Sequence, residues 1–313
     1  MAKTKKYEFA PAANPVVTES FCGTDAGFYI SRAMYQAVSL DCLKVIENVK
    51  FKTHVQQMEY RSILADATCD FANVGELNMG ERILTPKNLQ VNLQLCKLNL
   101  LSSWEALQMR AGAWNNGDVP SFTDYAVSLM AKQIGMGVEI SIWQGDDANP
   151  GSFTGFTTPA TGTFANDPSV VVGAATVPFT AGNIIANIEG AIALIPTAVL
   201  GSEDLRIFMN QKTYQMYIAA VSTLGYLNAY NMQGDYVPVV NGIKVCVTNG
   251  MLDDQLVIAD MTNLFFGTDL VSDTTEVRLL DMTDLDGSNN IRMVAKYTGG
   301  VQHGVGGDIV WWK

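Results

Sequence analysis

Histidine is scarce in this sequence, and charged residues are fewer than usual. His54 and His303 are the only histidines among 313 residues, and Asp, Glu, Lys and Arg together make up 16%, where globular proteins average about 25%. A mechanism that uses histidine as an acid, a base or a metal ligand therefore has few candidates. We interpret His54, which lies in a polar stretch, as structural.

Paired cysteines are also lacking. The five cysteines are odd in number, widely spaced and without a Cys-x-x-Cys pair; they are Cys22, Cys42, Cys69, Cys96 and Cys246. This pattern predicts reduced thiols of a cytoplasmic protein, and it argues against a disulfide framework or a zinc site.

Long apolar runs and basic surfaces are missing as well. The most apolar stretch, residues 184–200, is interrupted by Asn187, Glu189 and Pro196, and a bilayer-spanning helix needs about 20 predominantly apolar residues. The N-terminus has no apolar core or cleavage site of a secretory signal. A net charge of −11 argues against a protein that coats DNA or an anionic membrane.

The candidate motifs for catalysis and ligand binding are all incomplete. The Gly-rich segment around His303 lacks a helix start and a Gly-Lys-Ser/Thr ending, so it predicts a flexible connection between strands. Gly135 and Gly137 fall inside a predicted helix and not after a strand, so they do not form a dinucleotide-binding motif. Asp281, Asp284 and Asp286 lack the spacing of a calcium loop, and Asp286-Gly287 predicts a hairpin turn. We therefore expect no catalytic, cofactor-binding or metal-binding residue.

The clearest element is a helix over residues 121–144. Ser121 suits the N-cap, Asp124 can complete a capping box, and Gly145 ends the segment. One apolar stripe runs along the helix at steps of three and four residues; its members are Phe122, Ala126, Leu129, Met130, Ile134, Gly137, Ile140 and Trp143. We expect this helix to bend at its two glycines and to pack on strands around residues 291–297.

The N-terminal third alternates between extended and irregular sequence. Residues 1–23 predict an extended arm, and a helix is expected from Thr24. Period-two patterns predict a strand over residues 49–55 and a returning strand over residues 89–100. The segment between them, residues 61–86, is too long for a tight turn. Its mixture of apolar and charged residues predicts a loop that folds onto another surface.

The second half predicts an α/β region followed by strands. A short helix is expected near residues 104–109, and the Gly/Thr/Pro-rich residues 151–178 are interpreted as the seam between two domains. The elements predicted beyond the seam are a helix with Ile184, Ile188, Ile192 and Ile195 on one face, strand 205–209, helix 211–224, strands 236–239, 243–247 and 256–259 with an Asn241-Gly242 turn, and C-terminal strands around 277–279, 291–297 and 308–313. In the last strand, Trp311 and Trp312 must face opposite sides.

This order of elements resembles the major capsid proteins of tailed double-stranded DNA bacteriophages. The segments LRIFMNQKTYQMYIAAV, VPVVNGIKVCVTNGM and LVIADMTNLFFGTDL are similar to the strand-helix, strand-pair and strand-turn segments of that family. The resemblance implies an α+β fold with an N-terminal arm and helix (1–47), an extended E-loop (48–99), a P-domain (100–180) with its spine helix (121–144), an A-domain (181–272) and returning C-terminal strands (273–313).

The implied function is self-assembly into the icosahedral shell of a virion. The implied partners are further copies of the chain in hexamers and pentamers, a separate scaffolding protein, a portal, decoration or auxiliary capsid proteins, and packaged DNA bound without sequence specificity; no membrane is implied. Assembly is expected in the host cytoplasm. The residues expected to contact neighbouring subunits are Phe9, Val16, Arg61, Asp66, Asp70, Phe71, Glu76, Glu81 and Arg82.

Two other functions stay open. Encapsulin compartment shells share this fold, as do herpesvirus capsid floor domains, so the fold does not separate a virus from a compartment. An α+β enzyme or ligand-binding protein is the other alternative, and particle size distinguishes it from a shell protein.

Overall fold

The computed structural model describes residues 38–61, 75–96, 120–223, 239–269 and 277–313, together with residues 64, 66, 67 and 69. Helices and strands are mixed along the chain, which confirms the α+β class. The chain divides into two compact units. Unit 1 consists of Met1–Met34, Gln90–Gln133 and Thr274–Lys296, and unit 2 consists of Tyr35–Leu89, Ile134–Asp273 and Tyr297–Lys313. The domain boundaries expected from the sequence stay predictions.

The described residues form thirteen strands and five α-helices. The strands are β1 (Lys44–Ile46), β2 (Thr53–Arg61), β3 (Glu76–Leu84), β4 (Lys87–Cys96), β5 (Val171–Gly173), β6 (Leu205–Asn210), β7 (Val239–Val240), β8 (Ile243–Thr248), β9 (Leu256–Asp260), β10 (Leu264–Gly267), β11 (Val277–Asp281), β12 (Asn290–His303) and β13 (Val310–Trp312). The α-helices are α1 (Pro120–Gln144), α2 (Ile184–Ala193), α3 (Thr197–Leu200), α4 (Gln211–Thr223) and α5 (Thr283–Asp286). A 3-10 helix covers Val38–Cys42.

Unit 2 is built on a six-stranded mixed sheet in the order β5-β13-β9-β6-β8-β7. Strand β6 pairs in parallel with β8 and antiparallel with β9, and the helix α4 directly follows β6. The turn between β7 and β8 places Asn241 and Gly242 at φ values of 50° and 85°. Positive φ at both positions is what a two-residue hairpin turn requires, so this predicted turn is confirmed.

One face of this sheet packs against α2 and α4. Strand β6 alternates, so that Leu205, Ile207 and Met209 point to the helices. They meet Ile184, Ile188 and Ala191 of α2, and Ala220 of α4, in one apolar core. The predicted apolar face of the helix is thus confirmed, and Ile195 also lies in this core, just beyond the end of α2.

The opposite face of the sheet carries an aromatic cluster. Phe208 of β6 packs on Trp143 with ring centroids 5.3 Å apart, and Trp143 packs on Phe156 at 5.6 Å. Phe164 stacks on Phe156 and also meets Trp311. Residues 151–178, which we expected to be a seam between domains, therefore supply buried aromatic side chains to unit 2. Their Gly/Thr/Pro-rich composition is typical of irregular backbone, and most of this segment is neither helix nor strand.

The two C-terminal tryptophans face opposite sides, as predicted. Trp311 is buried in the aromatic cluster, whereas Trp312 packs on the helical side and donates from Nε1 to Asn187 Oδ1 at 3.1 Å. The short strand β13 therefore contributes one tryptophan to the packing on each face of the sheet.

Helix α1 confirms the predicted long helix, with two corrections. It begins at Pro120, so Ser121 lies inside the first turn and not at the N-cap; proline suits the first helical position because its missing N–H would have no partner there. The predicted stripe is also too narrow in the second half, where Val138, Glu139, Ser141 and Ile142 are buried beside Ile134 and Trp143. The bend at the two glycines and the packing on residues 291–297 stay predictions.

A buried carboxylate joins three segments of unit 2. Glu139 of α1 accepts from the N–H of Ser39 at 3.0 Å, from Ser39 Oγ at 2.7 Å and from the N–H groups of Asn249 and Gly250 at 3.2 and 3.3 Å. Trp143 Nε1 donates to the same Ser39 hydroxyl. Burial raises the pKa of Glu139, although its hydrogen bonds act in the opposite direction.

The expectation of reduced cysteines is wrong for one pair. Cys42 and Cys246 form a disulfide with a Cα–Cα distance of 6.6 Å, and their separation in sequence is 204 residues. Such a distant pair leaves no local spacing signal in the sequence. Cys69 and Cys96 are free thiols.

The long strand β12 pairs along both of its halves. In unit 1, Val277↔Ala295 to Asp281↔Ile291 join it to β11. In unit 2, Leu264↔His303 to Gly267↔Gly300 join it to β10. The connection from β11 to β12 contains the short helix α5 before Gly287, so it is longer than the predicted Asp286-Gly287 hairpin turn.

Several predicted elements lie outside the described residues. They are the arm 1–23, the start of the helix expected from Thr24, the short helix near 104–109, the strand extension beyond Cys96 and the residues before Val239. Within the described part of the chain, no helix is long and apolar enough to cross a bilayer.

Candidate functional site

The most distinctive surface of unit 2 is a long two-stranded hairpin. Strands β2 and β3 pair antiparallel over nine residue pairs, from Thr53↔Leu84 to Arg61↔Glu76. At about 3.4 Å per residue this ladder extends for roughly 30 Å. Among the described residues, no third strand joins it. Two predictions are therefore wrong: residues 76–84 form a strand inside the predicted loop, and residues 49–52 of the predicted strand precede β2.

One face of the hairpin carries exposed apolar side chains, with the polar pair Gln56 and Glu81 between Met79 and Ile83. Residues that lie opposite each other in an antiparallel ladder share a face, so Met58 pairs with Met79 on the same side as Leu77 and Ile83. Their exposed fractions are 54%, 66%, 47% and 43%, respectively. We call these four residues the methionine face. Methionine side chains are flexible and polarizable, which suits them to an adaptable contact.

The other face of the hairpin anchors its base. Val55 and Leu84 are buried there, and Leu84 packs closely on the backbone at Gly267. Gln302 Nε2 of β12 donates to the carbonyl oxygen of Ile83 at 2.9 Å. The base is therefore joined to the core of unit 2, while the apolar side chains nearer the tip remain exposed.

A polar cluster lies behind this base. Arg82 donates from Nη2 to Asp167 Oδ2 at 2.5 Å and from Nε to the carbonyl oxygen of Gly304 at 2.6 Å. His303 Nε2 lies 2.9 Å from the same Asp167 oxygen, and its side chain is fully buried against the edge of Phe164. The segment around His303 is thus a buried strand end and not the flexible connection we expected.

The ionisation of this cluster follows from its partners. Burial would raise the pKa of Asp167, but hydrogen bonds from His303 and Ser169 and the charge of Arg82 lower this pKa to about 2. Burial lowers the pKa of His303 below its ordinary value; the Asp167 carboxylate opposes this shift and Arg82 adds to it. At neutral pH the carboxylate is therefore ionised. Because it can only accept, the neutral His303 carries its proton on Nε2.

Among the described residues, the cluster has no neighbour that suggests catalysis. Ser169 donates to Asp167 Oδ1 and so does not occupy the place of a nucleophile beside the histidine. No group of three or more His, Cys, Asp or Glu residues in the described ranges is arranged to hold a metal ion. The arrangement holds one strand in place by charge-assisted hydrogen bonds.

The residues that we expected at subunit contacts fall into three groups. Glu76 and Glu81 are exposed on β3, and Asp66 is exposed between the strands. Arg82 is partly buried and bonded within its own chain. Arg61 is the last residue of β2, and its side chain is not among those that the structure describes. Asp70, Phe71, Phe9 and Val16 lie outside the described residues altogether. Contact with a neighbouring subunit stays a prediction for all nine.

Met58 and Met79 on the hairpin surface, and Asp167 and His303 in the polar cluster behind its base, were not predicted from the sequence as site residues. The spacing of Leu77, Met79 and Ile83 has the period of a strand and could have identified β3. No local signal links Asp167 to His303, because 136 residues separate them.

No protein-family model matches the chain, and no curated protein matches its sequence. Solved structures, however, match over nearly its whole length. A chain from Gordonia phage Cozz superposes with a TM-score of 0.60 at 15% identity and covers 99% of each chain. For the capsid of the empty GTA particle the TM-score is 0.59 at 12% identity, over 96% of this chain and 94% of that one.

The capsid of Myoviridae phage XM1 agrees as well, with a TM-score of 0.56 at 11% identity over 93% of this chain and 95% of that one. Similarity at such low identity, over nearly complete chains, is a similarity of fold. The fold is therefore the α+β fold of tailed-phage major capsid proteins, as the resemblance in sequence implied.

Proposed function

We propose that this chain is a major capsid protein that assembles, with many copies of itself, into the icosahedral shell around the double-stranded DNA of a tailed phage. The fold supports this proposal, and so does the surface of the hairpin. A two-stranded hairpin is marginal in water by itself, and adjacent exposed apolar side chains, as Leu77, Met79 and Met58 are here, are typical of interaction sites. The methionine face is the observation that carries the proposal.

The occupant of the methionine face is a second copy of the chain. A closed shell repeats one surface around its symmetry axes, so a projecting element on each copy can meet the same receiving surface on the next. Each contact can be modest, because every subunit touches several neighbours and the contacts act together. The hairpin, with the segment 62–75 between its strands, therefore serves as an arm that holds an adjacent subunit.

The further partners belong to the same proposal. They are a separate scaffolding protein, a portal and decoration proteins, with assembly in the host cytoplasm and a structural role without enzymatic activity. The net charge of −11 suits a container, because a strongly basic wall would bind packaged DNA tightly.

Electron microscopy of the purified full-length chain, produced with the products of its neighbouring genes, tests this function. We expect closed particles of uniform diameter, which gel filtration places in the void volume. Only small oligomers in that mixture would contradict the proposal. Particles that enclose a protein cargo and no DNA would instead assign the chain to a compartment shell.

A double substitution, Met58→Ser with Met79→Ser, tests the role of the hairpin within that function. It removes apolar contact and keeps the backbone ladder, whereas deletion of residues 67–80 would also remove half of β3. We expect a folded chain that forms few or no shells. Leu285→Ser is the matched control, since Leu285 is also exposed but is not part of the hairpin.

A further inference from the structure

Few of the described groups attach the hairpin to unit 2. Among the described side chains of its two strands, Val55 and Leu84 are the buried apolar ones. Apolar packing is non-directional, so it holds the base without fixing the angle at which a roughly 30 Å ladder projects. A directional restraint is needed for a constant angle.

Arg82 supplies that restraint. Its planar guanidinium makes two hydrogen bonds to different segments, one to Asp167 Oδ2 at 2.5 Å and one to the Gly304 carbonyl at 2.6 Å. Two bonds from one rigid group fix both position and direction, which a lysine ammonium cannot reproduce. Since Arg82 is opposite Val55 in the ladder, the restraint acts on both strands.

Asp167 is itself held firmly. Ser169 donates to its Oδ1 from the backbone N–H at 2.9 Å and from Oγ at 2.7 Å, and buried His303 bonds its Oδ2 at 2.9 Å. Gly306 passes so close that a Cβ there would collide with Oδ2 of Asp167. The carboxylate therefore has one position, and so does the arginine that binds it.

Open space beside the base makes this restraint consequential. A cavity of about 570 Å³ beside the base is lined by Arg82, Ile83 and Lys87, and also by Asp147 and Phe153. Because solid packing does not surround the base, the hairpin has room to swing once its polar restraint is lost.

We propose that Arg82, Asp167 and His303 are positioning residues that set the angle of the hairpin and thereby direct its methionine face to the next copy of the chain. The second half of this statement rests on the proposed function. The first half concerns one subunit and is tested separately.

The test measures a distance within one subunit. Spin labels are placed at Met79→Cys on the hairpin and at Glu189→Cys on α2, in a chain with Cys22, Cys69 and Cys96 changed to Ser and with excess unlabelled chain present. In the labelled chain that keeps Arg82, we expect one narrow distribution of the distance between the two labels. Arg82→Lys and His303→Gln should broaden or shift it.

Lys87→Gln is the matched control, because Lys87 also forms an ion pair beside the cavity, with Asp147, but it makes no bond to Asp167. Its distribution should equal that of the parent. If Arg82→Lys is folded by circular dichroism and keeps the parent distribution, the positioning role is refuted. If either of the other variants fails to fold, the same distance is measured in Asp167→Asn, where the distribution should also broaden or shift.

Shell assembly provides the second readout. Arg82→Lys should lower the yield of uniform shells by about tenfold, as expected when a charge-assisted hydrogen bond no longer selects one angle. A changed distance together with normal shells would overturn the link to assembly. If the parent chain forms no shells while the distance still depends on Arg82, the proposed function fails and the positioning role stands.

Discussion

The six-stranded sheet and the hairpin of unit 2 differ in where their apolar side chains find contact. In β6 and β9, the side chains between the sheet and its helices are fully buried, and the aromatic cluster covers the other face. In the hairpin, the methionine face is exposed and no third strand is present among the described residues. The sheet is thus stabilised within the chain, whereas the hairpin has apolar surface left for another molecule.

The first prediction contrasts the two regions directly. Ile207→Ala, at a fully buried position of β6, should lower the free energy of unfolding by about 4 kcal/mol, because it leaves a cavity in a close-packed core. Urea unfolding of the isolated chain measures this effect. If Ile207→Ala costs no more than Met79→Ala on the hairpin, the contrast is wrong.

The disulfide extends the contrast to the covalent structure. The Cys42–Cys246 disulfide joins residues that are 204 positions apart. Breaking it should lower the free energy of unfolding by about 3 kcal/mol, since the unfolded chain gains conformational entropy. Cys42→Ser and treatment with a reducing agent should give the same thermal shift. The exposed free thiol Cys69 offers the control, for Cys69→Ser should leave the melting temperature unchanged.

The polar cluster at the hairpin base predicts a response to acid. The pKa values of His303 and Asp167 are lower in the folded chain than their ordinary values of 6.5 and 3.8, so the unfolded chain binds more protons as the pH falls. Stability should therefore decrease below about pH 6.5 through His303. A further loss of about 2 kcal/mol should follow between about pH 4 and pH 2 through Asp167.

Denaturant midpoints measured from pH 7 downward test this response. His303→Gln should remove the first decrease, and Asp167→Asn should flatten the second. His54→Gln serves as control because His54 is exposed. An unchanged pH profile in His303→Gln would show that the buried imidazole is not the group that titrates.

The smallest effect on stability is expected at the methionine face. Met58→Ser and Met79→Ser should each change the free energy of unfolding by less than about 0.5 kcal/mol, because exposed side chains contribute little to it. A loss of several kcal/mol would mean that these side chains stabilise the subunit itself, and the comparison between hairpin and sheet would fail.

The sequence predicted those parts of the fold whose signals are local. The α1 helix, the β6-α4-β8-β9 order and the Asn241-Gly242 turn follow from periodicity and turn chemistry within a few residues. The width of the buried surface of α1 was not predictable in this way, since Val138 and Glu139 are buried by contacts from distant segments.

The candidate site was only partly predictable for the same reason. Residues 61–86 were identified as a segment that meets another surface, but the pairing of β2 with β3 and the exposure of Met58 and Met79 depend on register. The disulfide joins residues 204 positions apart, and the ion pair of Arg82 with Asp167 joins residues 85 positions apart. Only the folded chain brings these groups together.

Negative-stain microscopy of the Met58→Ser, Met79→Ser double variant beside the parent chain tests the central claim most directly. We expect the parent to form closed shells and the double variant to remain as small, folded species with an unchanged unfolding midpoint. Shells of normal size and yield from the double variant would contradict the claim that the methionine face holds neighbouring subunits together.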